Sequence, residues 1–179
     1  MVWKSWKRFG GLDPLKKLVY LISPRRINKK FYSNLNAVLS QGNVKFFQLR
    51  LKKIKANRFL EIAKRIKKIT SRHKVKFIIN DNFNLTIKVK ADGCHMGQHD
   101  GSIKIAKKKL RNKILGVTCH NSKILANNAI KNKVSYLAFG SFFKSKLKPN
   151  ARKANLNILK LSLIHISEPT RRSWISYAV

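Results

Sequence analysis

The chain has 179 residues, of which 44% are hydrophobic, and its 41 Lys and Arg against 6 Asp and Glu give a formal charge of +35. This apolar content excludes a disordered chain, because disordered sequences lack the side chains that offset the entropy of ordering. The length suits one domain with its own core, and no apolar run approaches the roughly 18 residues of a membrane-spanning helix.

From residue 18 onward, short apolar runs alternate with segments of helical period. The runs, which are typical of parallel strands buried on both faces, are Leu18 to Ser23, Val44 to Leu51, Val75 to Asn80, Ala91 to Met96, Ile114 to Thr118 and Val134 to Phe143. The segment after the first run predicts a helix with the apolar stripe Ile27, Phe31, Leu35 and Val38, closed by Gly42. The segment after the second run predicts a helix with the stripe Phe59, Ile62, Ala63, Ile66 and Ile69.

The later helices have capping signals. Ser102 and Ser122 are candidate N-caps of the fourth and fifth helices, and Pro149 suits the first turn of a sixth. The segment from Asn82 to Lys90 predicts only a short third helix.

This alternation indicates a parallel sheet, either closed as a (β/α)8 barrel or open and doubly wound. Polar residues follow each strand in turn: Arg50 and Lys52, Asn80 and Asp81, His95 and Gln98, Thr118 and His120, Ser141 and Ser145. A barrel assembles its site from all of its βα loops, whereas an open sheet concentrates the site at one switch point. We therefore predict an α/β fold of the TIM (β/α)8 barrel type.

Residues 161–179 depart from this composition. They contain no Lys and no Asn, although residues 1–160 contain 30 Lys and 16 Asn, and the string LSLIHISEPTRRS resembles translated adapter or vector sequence. We therefore predict three regions: an N-terminal extension at 1–17, a partial barrel with about the first six βα units at 18–160, and a non-native tail at 161–179.

Five motifs stand at the predicted strand ends: QLRLK at 48–52, IINDN at 78–82, ADGCHMGQHD at 91–100, GVTCH at 116–120 and YLAFGSFFKSKLK at 136–148. In this order, from about Leu18 to Lys160, the series resembles thiamine-phosphate synthase. The resemblance implies a TIM-barrel transferase of thiamine biosynthesis. Such an enzyme uses Mg²⁺ to join hydroxymethylpyrimidine diphosphate to a thiazole phosphate, and it releases pyrophosphate.

The resemblance also implies roles for individual residues. It assigns the pyrimidine diphosphate to Gln48, Arg50, Lys52, Asn80, Thr118 and Lys148. It assigns the magnesium ion to Asp81 and Asp100, and the thiazole phosphate to the loop with Ser145, Lys146 and Leu147. Gln48, Arg50 and Lys52 alternate along one strand end, so we expect their side chains to share a face, where two cations can hold a diphosphate.

The sequence departs from the family pattern in three places. Thr118 replaces the usual Ser, and Leu147 replaces a hydroxyl residue of the P-T-x-T-K loop, so one phosphate contact is missing. The glycine-rich loops of the last two strands are absent beyond Lys160. We therefore expect most of the pyrimidine half of the site and little of the thiazole half, and the chain is inactive if it is such a truncated copy.

Two other functions are open. A thiazole tautomerase of the same superfamily would use an acid/base group, for which His120 is the candidate. A basic RNA-binding protein would explain the charge, although the lysines are spread along the chain and no aromatic RNA-binding signature accompanies them.

The other predictions concern zinc, Asp92, the cysteines and the partners. The spacings of Cys94, His95, His99, Cys119 and His120 fit no standard zinc motif, and Asp92 has a structural role in the turn before the fourth strand. Two cysteines without a disulfide framework predict a reduced, cytoplasmic protein. Its partners are small-molecule substrates, with no membrane and no specific nucleic acid.

Overall fold

The computed structural model describes residues 19–142, 154–155 and 157–158, together with the backbone of the strand at residues 174–177. Its contacts divide the chain into two compact units. The N-terminal unit contains the described residues 19–95 and 112–114, and the C-terminal unit contains 96–111 and the described residues from 115 onward. The predicted extension at 1–17, Pro149 and most of the predicted tail lie outside the described residues.

The N-terminal unit alternates strands and helices. Its elements are β1 (Val19–Ile22), α1 (Lys29–Ser40), β2 (Val44–Leu49), α2 (Ala56–Arg72), β3 (Lys76–Asn80), α3 (Phe83–Lys88) and the start of β4 (Gly93–Met96). Each strand pairs in parallel with the one before it, with Ile22 opposite Gln48 and Asn80 opposite His95. The carboxyl ends of these strands therefore share one edge of the sheet.

The C-terminal unit continues the same alternation. Its elements are α4 (Ile103–Leu110), β5 (Ile114–His120), α5 (Lys123–Lys131), β6 (Tyr136–Phe139) and β7 (Trp174–Tyr177). β6 pairs in parallel with β5 and with β7. The first residue of β5 belongs to the N-terminal unit, where the Ile114 amide donates to the Asp92 carbonyl at 3.0 Å.

Side-chain caps set the starts of four helices. Asn28, Asn82, Ser102 and Ser122 each accept a hydrogen bond from the backbone amide three residues on, which satisfies an otherwise unpaired donor of the first turn. The two predicted serine caps are thereby confirmed. Gly42 follows the C-cap of α1 at φ +78°, where a residue with a Cβ would be strained.

The core of the N-terminal unit forms where α1 and α2 cover the strands. From the predicted stripe of α2, Phe59, Ile62, Ala63 and Ile66 are buried, and Ile69 is half-buried. They pack with Leu35 and Leu39 of α1 and with Phe47 and Phe77 of the sheet. On β3, Phe77, Ile78 and Ile79 are all fully buried, as expected for a strand covered on both faces.

Three sequence predictions were wrong in detail. The stripe of α1 ends on Leu39, because Leu39 is 2% exposed and Val38 is 43% exposed. The second strand ends at Leu49 and not at Leu51. The sixth run was also predicted too long, since β6 covers only Tyr136–Phe139.

Within each unit the strand order is the chain order, with a helix after each of the first five strands. An open doubly wound sheet would reverse its order at a switch point. This order is that of a (β/α) barrel and confirms the predicted fold class. No helix within the described ranges is both long and apolar enough to cross a bilayer.

Candidate functional site

A hydrogen-bonded row of polar side chains joins Tyr20 of β1 to the carboxyl ends of β2 and β3. The Tyr20 hydroxyl donates to Gln48 Oε1 at 3.0 Å, and Gln48 Nε2 donates to Asn80 Oδ1. Gln48 is only 3% exposed, although it is polar. A buried amide needs such partners, because an unpaired buried polar group costs about 1–3 kcal/mol. The structure thus brings together two predicted site residues, Gln48 and Asn80.

The loop after β2 contains the two predicted cations of the QLRLK motif. The buried hydroxyl of Ser23, just after β1, accepts the Arg50 backbone amide at 2.9 Å. Arg50 is half-buried and Lys52 is exposed. Because β2 ends at Leu49, Lys52 lies in a loop, and strand alternation does not place it on one face with Gln48.

Asp81 directly follows β3 in an unusual backbone conformation. Its φ is +66°, which is uncommon for a residue with a side chain, and its amide donates to the His95 carbonyl at 2.7 Å. The next residue, Asn82, caps α3. The half-buried Asp81 therefore lies between a strand end and a helix start, with its backbone amide fixed on the neighbouring strand.

Asp92 has the structural role that the sequence predicts. Its Oδ2 accepts from Lys67 Nζ at 2.7 Å and from the Phe77 amide at 3.0 Å, so it ties α2 to β3. Burial raises the pKa of Asp92, but these two hydrogen bonds and the charges of Lys67 and Lys76 outweigh it. The pKa of Asp92 therefore lies below its ordinary value.

Asp100, in the C-terminal unit, is held by the loop that follows β4. Its Oδ2 accepts the Gly97 amide at 2.6 Å, and its other oxygen has no hydrogen bond within the described part of the chain. A Cβ on Gly97 would lie 2.9 Å from Oδ2, so a glycine permits this close approach. One oxygen of this half-buried carboxylate is thereby oriented, and the other can take a ligand.

The same loop contacts β5 and borders a cavity. Gln98 Nε2 donates to the carbonyl of Thr118, which fixes the loop against the predicted site residue. A cavity of about 340 Å³ lies beside Gly97, Gln98 and the first turn of α4, and α5 contributes Asn128 and Asn132 to its lining.

His120 ends β5 with φ +51° and is exposed, and its carbonyl accepts from Gly140 at 3.4 Å. Cys94 and Cys119 are buried and not joined in a disulfide. Burial raises the pKa of the Cys119 thiol to about 12, so this thiol stays protonated at neutral pH. Among the described residues no group of three or more His, Cys, Asp or Glu could hold a metal ion.

The predicted thiazole-phosphate loop with Ser145, Lys146 and Leu147, and the predicted diphosphate contact Lys148, lie outside the described residues.

Tyr20, Ser23 and Gly97 had no predicted role. The signal for the first two was present, since each is a polar residue within or just after an otherwise apolar first strand, VYLIS. Gly97 gave a weaker signal, because a glycine in a loop is common and its amide contact with Asp100 depends on the folded loop.

Comparison with known proteins decides the family. A family model described as thiamine monophosphate synthase matches residues 19–170. The chain belongs to the thiamine monophosphate synthase family. The predicted resemblance is therefore confirmed, and the match includes every strand from β1 to β6.

Relatives of this family are similar over most of the chain. Thiamine-phosphate synthase of Pelagibacter ubique is 53% identical over 146 residues, which cover 81% of this chain and 70% of the relative. The enzyme of Erythrobacter litoralis is 40% identical over 147 residues, covering 79% of this chain and 69% of the relative. Among solved structures, thiamine phosphate pyrophosphorylase from Pyrococcus furiosus superposes with a TM-score of 0.72. That pair is 27% identical, and the match covers 92% of this chain and 76% of that one.

Proposed function

We propose that this chain is a magnesium-dependent thiamine-phosphate synthase. It condenses hydroxymethylpyrimidine diphosphate with a thiazole phosphate and releases pyrophosphate. The contact between Gln48 and Asn80 at the carboxyl ends of β2 and β3 supports this proposal most directly, because both residues belong to the pyrimidine half of the family motif. Family membership and the synthase names of the relatives support it independently.

Asn80 binds the pyrimidine ring, and Arg50 and Lys52 bind the diphosphate. An Arg guanidinium offers paired donors that match two phosphate oxygens, and a Lys adds a point charge. The Ser23 hydroxyl fixes the backbone of Arg50 and so limits the conformations of its side chain. Thr118 and Lys148 complete this half of the site.

Asp81 and Asp100 are the proposed metal ligands. Their donor set fits Mg²⁺, because this hard ion is usually bound by one or two carboxylates together with substrate phosphates. The oriented carboxylate of Asp100, with one oxygen on the Gly97 amide, fits the same role. When bound, Mg²⁺ supplies positive charge that neutralises the diphosphate.

The reaction that follows is dissociative. The bond between the pyrimidine methylene and the diphosphate oxygen breaks, and the electron pair leaves with pyrophosphate. Arg50, Lys52 and Lys148 stabilise the negative charge that develops on this leaving group. The ring nitrogen of the thiazole then donates its lone pair to the methylene carbon, so the protein needs to supply position and charge but no nucleophile.

The thiazole phosphate binds the loop with Ser145, Lys146 and Leu147. The Leu147 side chain donates no hydrogen bond, so the lysines of this loop replace one hydroxyl contact by charge. The protein works in the cytoplasm, which is consistent with two buried cysteines that form no disulfide.

The test is an assay with both substrates and Mg²⁺, in which thiamine phosphate and pyrophosphate are measured together. We expect equimolar products from the wild-type protein and a loss of about 100-fold in kcat/KM for Asn80→Ala, with no change for the exposed Asn34→Ala control. A folded protein that forms no thiamine phosphate contradicts the proposal. Metal-independent binding of the thiazole phosphate alone would favour the tautomerase that His120 suggested.

A further inference from the structure

The hydrogen bonds of Tyr20, Gln48 and Asn80 have a defined direction. A primary amide carries its acceptor on one side and its donors on the other. Because Gln48 Oε1 accepts from Tyr20, its Nε2 group is turned toward Asn80, whose Oδ1 is thereby occupied. The Asn80 Nδ2 group makes no hydrogen bond within the described part of the chain, so this donor is available to a ligand.

The burial of Gln48 makes this direction depend on Tyr20. Gln48 is 3% exposed, so water cannot readily replace the phenolic hydroxyl as the donor to Oε1. Without that hydroxyl, Oε1 loses its partner, and rotation of the Gln48 amide by a half turn removes the donor that holds Asn80. Asn80 is then free to present its oxygen in place of its nitrogen.

We infer that Tyr20 is a positioning residue of the pyrimidine site, which acts through Gln48 to make Asn80 a hydrogen-bond donor to the substrate ring. This inference rests on the proposed function, since it assumes that Asn80 contacts the pyrimidine. It adds a residue of β1 to the pyrimidine half of the site. It also makes the selectivity for the ring depend on one phenolic oxygen.

The substitution Tyr20→Phe tests the inference without removing the ring. The Tyr20 ring stacks on Phe46, with centroids 5.5 Å apart and an interplanar angle of 19°, and phenylalanine keeps this contact. Tyr32→Phe is the matched control, because it removes the same atom from a ring on α1 that packs under the Arg65 guanidinium.

Titration calorimetry with Mg²⁺ should compare two probes, hydroxymethylpyrimidine diphosphate and inorganic pyrophosphate. We expect Tyr20→Phe to weaken the pyrimidine diphosphate about tenfold, the size of one lost buried hydrogen bond, and to leave pyrophosphate within about twofold. Tyr32→Phe should change neither affinity. In an Asn80→Ala background, Tyr20→Phe should cause no further loss, because the group it positions is gone.

Unchanged affinity of Tyr20→Phe for the pyrimidine diphosphate, or equal loss for both probes, overturns the inference and leaves the proposed function standing. A folded wild-type protein that does not bind the pyrimidine diphosphate overturns both. If Tyr20→Phe does not fold, Gln48→Met interrupts the same row at its centre. This variant must show the same selective loss, and equal loss for both probes rejects the inference.

Discussion

Asp92 and Asp100 lie in one motif, ADGCHMGQHD, and differ in what holds them. Asp92 is paired with a lysine and a backbone amide of its own unit, which accounts for its carboxylate in structural terms. Within the described residues, Asp100 accepts one amide through Oδ2, and its other oxygen has no hydrogen bond there. At the scale of single residues, the hydrogen-bond partners therefore distinguish Asp92, a structural residue, from Asp100, a proposed metal ligand.

The substitution Asp92→Asn should lower stability in a pH-dependent way. We expect it to reduce the free energy of unfolding at pH 7 by about 1–2 kcal/mol, since it removes a charge-assisted pair that is partly exposed to solvent. The folded-state pKa of Asp92 lies below the ordinary value of 3.8. The stabilisation is therefore fully present above that value and is lost as the pH falls through the folded-state pKa.

Urea unfolding of wild type and Asp92→Asn at neutral and acid pH measures this effect. The difference between the two proteins should shrink as the carboxyl is protonated. A difference that stays constant, or grows on acidification, would show that the ion pair with Lys67 is not its cause.

The substitution Asp100→Asn should affect metal-dependent binding and leave stability nearly unchanged. Its amide oxygen can still accept from Gly97, but the charge that attracts a cation is gone. We expect Mg²⁺-dependent binding of pyrophosphate to weaken by more than about tenfold. A loss of this size already follows when a residue that only hydrogen-bonds a metal ligand is replaced. Calorimetry and a thermal melt of the same sample check both parts, and Asp92→Asn is the control with the opposite outcome.

The sequence predicted Gln48 and Asn80 for one site, and the structure brings them together. Tyr20 and Ser23 stand out in the sequence as polar residues of an apolar strand, but their hydroxyl contacts could not be predicted. These contacts depend on the register of β1 against β2, which includes an irregularity between Val19 and Tyr20. A pattern of apolar residues determines the face of a strand but not its exact offset from the neighbouring strand.

At the scale of elements, the apolar stripe of α2 was predicted correctly because it repeats over several turns. The shorter α1 places Val38 and Leu39 side by side, and both are apolar. Periodicity alone could not choose between them. Packing against the core selects Leu39.

The α2 stripe supplies a stability prediction. Ile66 is fully buried, so Ile66→Ala should cost about 2–5 kcal/mol in the free energy of unfolding. Ile124 on α5 is 81% exposed, and the same substitution there should change stability by less than about 0.5 kcal/mol. Chemical denaturation of both variants tests the account, and similar costs at the two positions would contradict the packing described for α2.

Gly116 of β5 permits close packing against β6, which could not be predicted from the sequence. A Cβ at this position would overlap the ring of buried Tyr136 on β6. Gly116→Ala should therefore destabilise the protein by about 1–3 kcal/mol through overpacking. The smaller side chain of Tyr136→Leu should relieve the overlap. A double variant no more stable than the sum of the two single changes would refute this contact.

At the scale of the whole molecule, the charge of +35 predicts attraction to any polyanion. We expect single-stranded RNA to bind at low salt, with affinity that falls steeply between about 50 and 200 mM salt and does not depend on its sequence. Asp81→Ala should not weaken this binding. Salt-resistant or sequence-selective binding would revive the RNA-binding alternative.

The overall architecture was predictable because alternating strands and helices leave few arrangements of a parallel sheet. The boundary predicted at residue 160 stays a prediction. Beyond it the structure describes a strand at Trp174–Tyr177, paired in parallel with β6, within the region that composition marks as a tail. The composition of a segment bears on its origin. Its pairing with β6 shows only that its backbone can add to the edge of a sheet.

The central claim is that this protein binds a pyrimidine diphosphate with the help of a metal ion. The most direct measurement is calorimetric titration of the wild-type chain with hydroxymethylpyrimidine diphosphate, in Mg²⁺ and again with excess chelator. We expect saturable binding in Mg²⁺ that weakens by more than about tenfold when the metal is removed. Equal affinity under both conditions, or no binding by a folded protein, would contradict it.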